Sequence, residues 1–301
     1  MGEFELHSEV GAVPDIVKSE SIKSAGVLSE EGTPVPRAAA SAGRRSSRRS
    51  LSLLAISIAS VLFVLALWYL STEHGWVSPV FLPKPGRVIS EGAANLASGQ
   101  LLTDIWMSTQ RVLLGFVLAG VVAIPLGIIM AVWAPAKAAF DPFVSLLRPL
   151  PSITWIPLTM LWLGIGEGQK VAIVFMGSWI YILLYTIEST KRVDPLLIRA
   201  ARNLGASDLN VMLHVILPGA LPGIIAGLKV TLAISWSCVL SAEMIAAQNG
   251  LGALIWQGKD WGNLALVLVG MLCISIVVLL ADRLADILER LLLPWERHTR
   301  S

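Results

Sequence analysis

Residues 199–223 read RAARNLGASDLNVMLHVILPGALPG. The stretch is too polar to cross a bilayer and too rich in Ala and Leu for an open loop, yet it separates two long apolar runs. From Asp194 the pattern predicts two short helices with a turn between them. Asp194 is placed to cap the first, with Pro195 at its first helical position. Leu196, Leu197, Ala200, Ala201 and Leu204 follow at helical spacing. Gly205 supplies the positive φ that ends a helix, and Ser207 or Asp208 caps the next one. Leu209, Met212 and Leu213 give that second piece an apolar stripe, and His214 belongs to the same helix; Pro218 and Pro222 mark the return to the membrane. Two roles fit such a knob: a docking tip whose small residues Ala200 and Ala201 permit close approach, or an amphipathic helix lying on lipid headgroups.

The surroundings are mostly oil. Of 301 residues 55% are hydrophobic and only 15% charged, against about 25% charged in a soluble domain. The deficit falls in long apolar runs, which predicts an all-α polytopic membrane protein. Six segments are expected to span: 51–71, 111–133, 143–163, 170–187, 222–247 and 264–288. The third, FVSLLRPLPSITWIPLTMLWL, carries Pro149, Pro151 and Pro157 and must be kinked or partly unwound. Such a segment needs neighbouring helices or a water-filled cavity to satisfy its freed backbone groups. Residues 1–50, rich in Ser, Ala, Glu, Pro and Gly, are expected to be a disordered tail leading to an uncleaved anchor at 51–71. Residues 72–110 form the longest connection, extended around Pro79, Pro83 and Pro85 and helical in composition thereafter; 111–290 is the core and 291–301 a second tail.

Lys and Arg bias sets the orientation. With the N-terminus cytoplasmic, that side receives Arg44, Arg45, Arg48, Arg49, Lys137, Lys191, Arg192, Arg199, Arg202, Arg290, Arg297 and Arg300. The other side receives Lys84, Arg87, Arg111, Lys170 and Lys259, so both termini and the 194–217 knob are expected in the cytoplasm. The net charge of +2 gives no reason to expect nucleic acid. Cys238 and Cys273 sit in apolar segments without metal-type spacing and read as reduced thiols, and the four histidines show no metal motif.

Glu243 is the one carboxylate deep in an expected span, and an intramembrane charge is a functional hypothesis by default. Lys229 lies about 21 Å away along a helix rising ~1.5 Å per residue, out of reach within one straight helix. Because a bare carboxylate repels an anionic cargo, Glu243 is expected to be a structural or gating group near the outer end. Arg148 suits either an anion pathway or an interfacial snorkelling position. Trp68, Trp76, Trp106, Trp133, Trp261 and Trp295 fall at expected interfaces. Trp155, Trp179 and Trp236 fall inside spans, with Ser235 and Ser237 flanking Trp236 as possible donors to an oxyanion, packing being the competing role.

The knob resembles the cytoplasmic signature of binding-protein-dependent ABC importer permeases: Glu-Ala-Ala, three residues, Gly, nine residues, Ile-x-Leu-Pro. Here Ala200-Ala201, Gly205 and Val215-Ile216-Leu217-Pro218 reproduce the spacing, with Arg199 where the family usually has Glu. FLPKPGRV, RPLPSITWIPLTMLWLGIGE, GLKVTLAISWSCVLSAEMIAAQNGLG and the final LLPW extend the likeness over roughly 55–295. Within the family the chain is similar to the branch importing sulfonates, taurine, nitrate, bicarbonate or cyanate, taurine-type permeases most of all, which also carry Arg before the paired alanines. The resemblance implies a type I importer permease fold in the inner membrane. It implies that Arg199, Ala200, Ala201, Gly205, Ala206, Leu217 and Pro218 couple to an ATPase. It also implies two ATPase copies, a second permease copy and an extracytoplasmic solute-binding protein, with membrane lipid around the chain. No G-x-x-x-x-G-K-[ST] loop occurs, so ATP and Mg are expected on the partner ATPase and no cofactor on this chain. No catalytic constellation favours the rival reading of a membrane enzyme, and a purely structural protein has no need of a Pro-broken span.

Overall fold

The computed structural model describes residues 42–294. The chain divides into two compact units, Met1–Ser60 and Val61–Ser301. The described part of the first is helical and belongs to α1 (Ala42–Glu73), which continues into the second. The helix therefore begins inside the segment expected to be tail: RRSSRRS lacks Pro and Gly, and extending an existing helix costs little. Residues 1–41 and 295–301, with Trp295 and both terminal Arg residues of the C-terminal tail, lie outside the described residues.

The second unit contains α2 (Pro85–Ala97), α3 (Gln100–Val132), α4 (Ala134–Leu147), α5 (Ile156–Leu163), α6 (Glu167–Lys191), α7 (Pro195–Asn203), α8 (Asp208–Val211), α9 (Leu217–Ala246), α10 (Leu251–Asp260) and α11 (Leu264–Leu292). No strand occurs among the described residues. Among the described residues five helical runs are long and apolar enough to cross a membrane: 55–73, α3, α6, 208–245 and α11. The third expected span, 143–163, goes further than a kink and is broken. α4 stops at Leu147, Pro151 is extended, a 3-10 turn covers Ser152–Trp155, and α5 adds only eight residues. Pro149, Pro151 and Pro157 each remove a backbone donor, and a residue preceding Pro avoids helical angles. α3 also starts eleven residues earlier than hydropathy suggested, because Gln100–Gln110 is helical though more polar.

α6 is the central element, and glycines set its neighbours. A Cβ on Gly115 of α3 would lie 2.6 Å from Val174 and 2.8 Å from the Val171 carbonyl oxygen; one on Gly127 would lie 2.8 Å from Thr186. Both pairs advance in the same sense, so α3 and α6 run parallel. Gly223 and Gly227 of α9 press on Ser189 and Tyr185, while Gly177 of α6 presses on Cys238, so α9 runs antiparallel to α6. Within a bilayer no hydrophobic force pulls helices together, and small residues let their backbones approach until dispersion forces hold them. Ser178 and Ser235 add a buried hydrogen bond across this seam at 2.8 Å. α11 returns antiparallel to α9, tied by Lys229 of α9 donating to Asp286 and, at 2.7 Å, to Glu289. The bundle thus has two ends, one bearing α2, α10 and the start of α3 and α6, the other bearing α7 and α8.

Two neighbouring glycines of α3 separate packing from propensity. Gly115→Ala must displace α6 and is expected to lower the thermal unfolding midpoint, with a cost of about 1–3 kcal/mol. Gly120→Ala meets nothing closer than Ile124 at 3.9 Å, and gains up to about 1 kcal/mol of helix propensity. A thermal melt of both purified variants checks the opposite signs.

Candidate functional site

At the α7 end the capping chemistry is as the residue types dictate. Asp194 accepts from the Leu196 N–H at 2.8 Å and Ser207 from the Asn210 N–H at 3.4 Å. Gly205 takes φ +83, and the Gly205 and Ala206 N–H groups close the end of α7 on the carbonyls of Arg202 and Ala201. Arg202 bridges the turn to Asp208 at 3.1 Å. The surface so formed is apolar and open: Leu196 is 68% exposed and Leu204 89%, with Leu197, Leu209 and Leu213 also exposed. Arg199 and Ala200 lie on the exposed part, and Ala201 and Ala206 are half-buried.

The two helices and the turn between them are as expected, but the second is not separated from the span that follows. α8 passes through a π turn at Met212–Ile216 directly into α9, so 208–245 is one continuous helical run. Pro218 has no N–H for a fourth-back carbonyl, and a widened turn just before it absorbs the misfit. Leu217 and Pro218 begin α9 rather than a loop.

The opposite end contains a buried ionic cluster. Arg111, 3% exposed, donates from Nη1 to Glu243 Oε1 and to the Asn249 carbonyl, each at 2.7 Å. Its Nε and Nη2 donate to the two oxygens of Glu167 at 2.6 and 2.7 Å. Glu243, with no exposed side-chain surface, also accepts from Ser108 at 2.7 Å and from the Gly252 N–H at 2.9 Å. Asp104 accepts from the Gly250 N–H at 2.7 Å, and Ser108 from the Leu251 N–H at 2.9 Å. Three free donors of the α10 N-terminus are thereby satisfied by α3 and α9 side chains. Gly250 has φ +125, and a Cβ there would stand 2.5 Å from the Glu243 carboxyl carbon and 2.7 Å from Arg111 Nη1. Lys170, 5% exposed, completes the cluster on Glu167 at 3.1 Å and on the Gly166 carbonyl at 3.4 Å.

Hydropathy missed most of this cluster because Arg111 stood at the presumed start of a span and was counted as a loop charge. Asp104, Ser108 and Arg111 fall at i, i+4 and i+7, one face of a helix, and that spacing was the available signal. Lys229 and Glu243 do not pair, as their separation required; each finds a partner on another helix.

The residues matching the family model for "Binding-protein-dependent transport system inner membrane component" are 123–294. The chain belongs to this family. The "Probable ABC transporter permease protein" of Brucella abortus (strain 2308) is 36% identical over 76% of this chain and 90% of its own length. The taurine transport system permease protein TauC of Escherichia coli (strain K12) is 32% identical over 80% of this chain and 89% of its own. An inward-facing structure of the MetNI methionine ABC transporter superposes with a TM-score of 0.59, at 22% identity, over 64% of this chain and 96% of that one. The fold is thus that of an ABC importer permease, a multi-pass membrane transporter subunit and not an enzyme.

Within the permease the remaining candidates scatter. Ser235 is buried, bonded to Ser178 and to the Thr231 carbonyl. Trp236, 3% exposed, packs in the α3–α9–α11 core with Nε1 unpartnered. Trp179 is half-buried among the α3, α4 and α6 side chains, and Trp155 is half-buried in the 3-10 turn. Arg148 and Ser237 are exposed. Only Glu243 joins a charged cluster. Neither cysteine is paired, and no group of three metal-ligating side chains occurs among the described residues.

Glu243→Gln keeps the shape of the cluster but leaves Arg111 buried with a single ion-pair partner, Glu167. Removing one partner of a buried pair costs about 3–5 kcal/mol. The variant is expected to unfold at clearly lower denaturant concentration, and Arg111→Met with Glu243→Leu together to recover part of the loss.

Proposed function

We propose that this permease carries a small organic or inorganic oxyanion, an aliphatic sulfonate or the zwitterionic sulfonate taurine first, and that an ATPase drives it through the 194–217 knob. The observation that carries the coupling is a continuous path. The exposed apolar tip of α7 is joined by the Gly205 turn to a helix that continues unbroken into α9, so a push on the tip moves a whole span. An exposed patch of this kind, rimmed by Arg199, Arg202 and Asp208, has the character of a protein interface. Lys and Arg bias supports placing this end, and both termini, in the cytoplasm. A second copy of the permease completes the walls of the pathway. Two ATPase copies holding ATP and Mg, and an extracytoplasmic solute-binding protein, complete the importer.

The cargo reading rests on TauC and on the spread of relatives. A nitrate import permease, NrtB of Synechocystis, is 29% identical over 64% of this chain, which keeps nitrate as the second reading, with bicarbonate and cyanate behind it. Calorimetry of the partner solute-binding protein with taurine, alkanesulfonates and nitrate decides among them.

Gly205→Glu tests the coupling. A Cβ at Gly205 meets no neighbour within 4 Å, so the chain tolerates the side chain apart from its φ of +83, a strain of about 1–2 kcal/mol. The variant is expected to assemble and hydrolyse ATP without uptake; normal uptake by the assembled complex refutes the docking role. A cysteine at Ser207 reacts with a membrane-impermeant maleimide only from the cytoplasmic side if the orientation is right.

A further inference from the structure

Arg111 has two unlike edges. Nη1 is locked into the framework by Glu243 and the Asn249 carbonyl, both held in turn by α9 and the α10 N-terminus. Nε and Nη2 are closed only by Glu167, whose side chain is 55% exposed and sits on the first turn of α6, after Gly164, Ile165 and Gly166. Among the described residues Lys170, 5% exposed, has no partner besides Glu167 and the Gly166 carbonyl. One residue before it, Gln169 is fully buried with both amide atoms unpartnered. We propose that this edge of Arg111, with Lys170, is a binding site for a monovalent oxyanion, which enters by displacing the Glu167 carboxylate.

Geometry and charge both permit the exchange. A guanidinium fork takes two oxygens on one central atom, and carboxylate, sulfonate, nitrate and bicarbonate all present that edge. Glu167 is a monoanion, so a monoanion replaces it without changing the charge of the cluster. With Glu167 swung out, Arg111 and Lys170 balance Glu243 and Asp104, and the incoming anion restores the original sum. A buried cation left bare is costly, so Glu167 keeps the site filled between visits and the anion is bound by exchange. Divalent sulfate adds a second negative charge beside Glu243 and is disfavoured. The site lies at the α10 end, the face on which a solute-binding protein delivers its cargo under the proposed orientation. The exchange deepens the oxyanion reading and rests on it.

The test uses the assembled importer in lipid nanodiscs, with methanesulfonate and chloride as sodium salts at matched ionic strength and permease unfolding as the readout. Methanesulfonate is expected to raise the unfolding temperature of the wild type where chloride does not. Glu167→Gln removes the competing charge, and the half-saturating concentration is expected to fall about tenfold, the value of one charge-assisted bidentate contact. Lys170→Gln, in either background, is expected to weaken the response. A Glu167→Gln permease whose midpoint for methanesulfonate equals that of the wild type overturns the site, as does a response to chloride of the same size. If Glu167→Gln does not assemble, Lys170→Gln alone decides, and an undiminished methanesulfonate response in it is fatal to the proposal. A solute-binding protein that takes no oxyanion sinks the cargo reading separately, whatever the permease does with methanesulfonate.

Discussion

The guanidinium of Arg111 and the carboxylate of Glu243 meet where neither has water, and the α10 end of the bundle is organised around that contact. An ion pair in such a place has a large desolvation cost and survives only if every remaining lone pair and proton is also satisfied. Ser108, the Gly252 N–H and the Asn249 carbonyl meet that demand. Doing so fixes the turn between α9 and α10, which must pass so close to the charges that position 250 has no room for a side chain. Asp104 then fastens the same turn from one helical turn before Ser108 in α3. α3, α6, α9 and α10 are held by one set of contacts made from residues far apart in sequence.

At the other end the order is local. Asp194, Pro195, Gly205 and Ser207 each act on their nearest backbone neighbours, so the shape of the knob follows from short-range rules. The central region depends on neither caps nor charges. There α6 lies between α3 and α9 at glycine-sized distances, with a serine pair in the seam. The three regimes divide the work: capping shapes the part that meets a partner, close packing makes the slab rigid, and the ionic cluster ties the far end.

Legibility in the sequence follows the same division. The knob, its caps and the resemblance it carries were readable because their signals lie within twenty-five residues. The Pro-rich third span was readable as a defect, though not as a full break. The joining of α8 to α9 was not, since Pro218 looks like a boundary until a π turn accommodates it. The ionic cluster was the hardest to foresee. Glu243 was conspicuous, but Arg111 lies outside the residues matching the family model and is separated from Glu243 by more than a hundred positions. Hydropathy averages over a window, and a window containing Gln100, Asp104, Gln110 and Arg111 reads as the outside of a membrane, however deep those residues are buried by packing. Ser235 shows the converse: a residue suggestive of a pathway serves to join two helices.

The broken segment between α4 and α6 has a consequence for biogenesis. A stretch with an extended proline and an eight-residue helix leaves backbone polar groups that hydrocarbon cannot satisfy, so it has no stable residence in lipid on its own. It cannot be released sideways from the insertion machinery as a finished span. It has to wait until α6 emerges behind it and offers a surface, which makes the two a single unit of membrane integration.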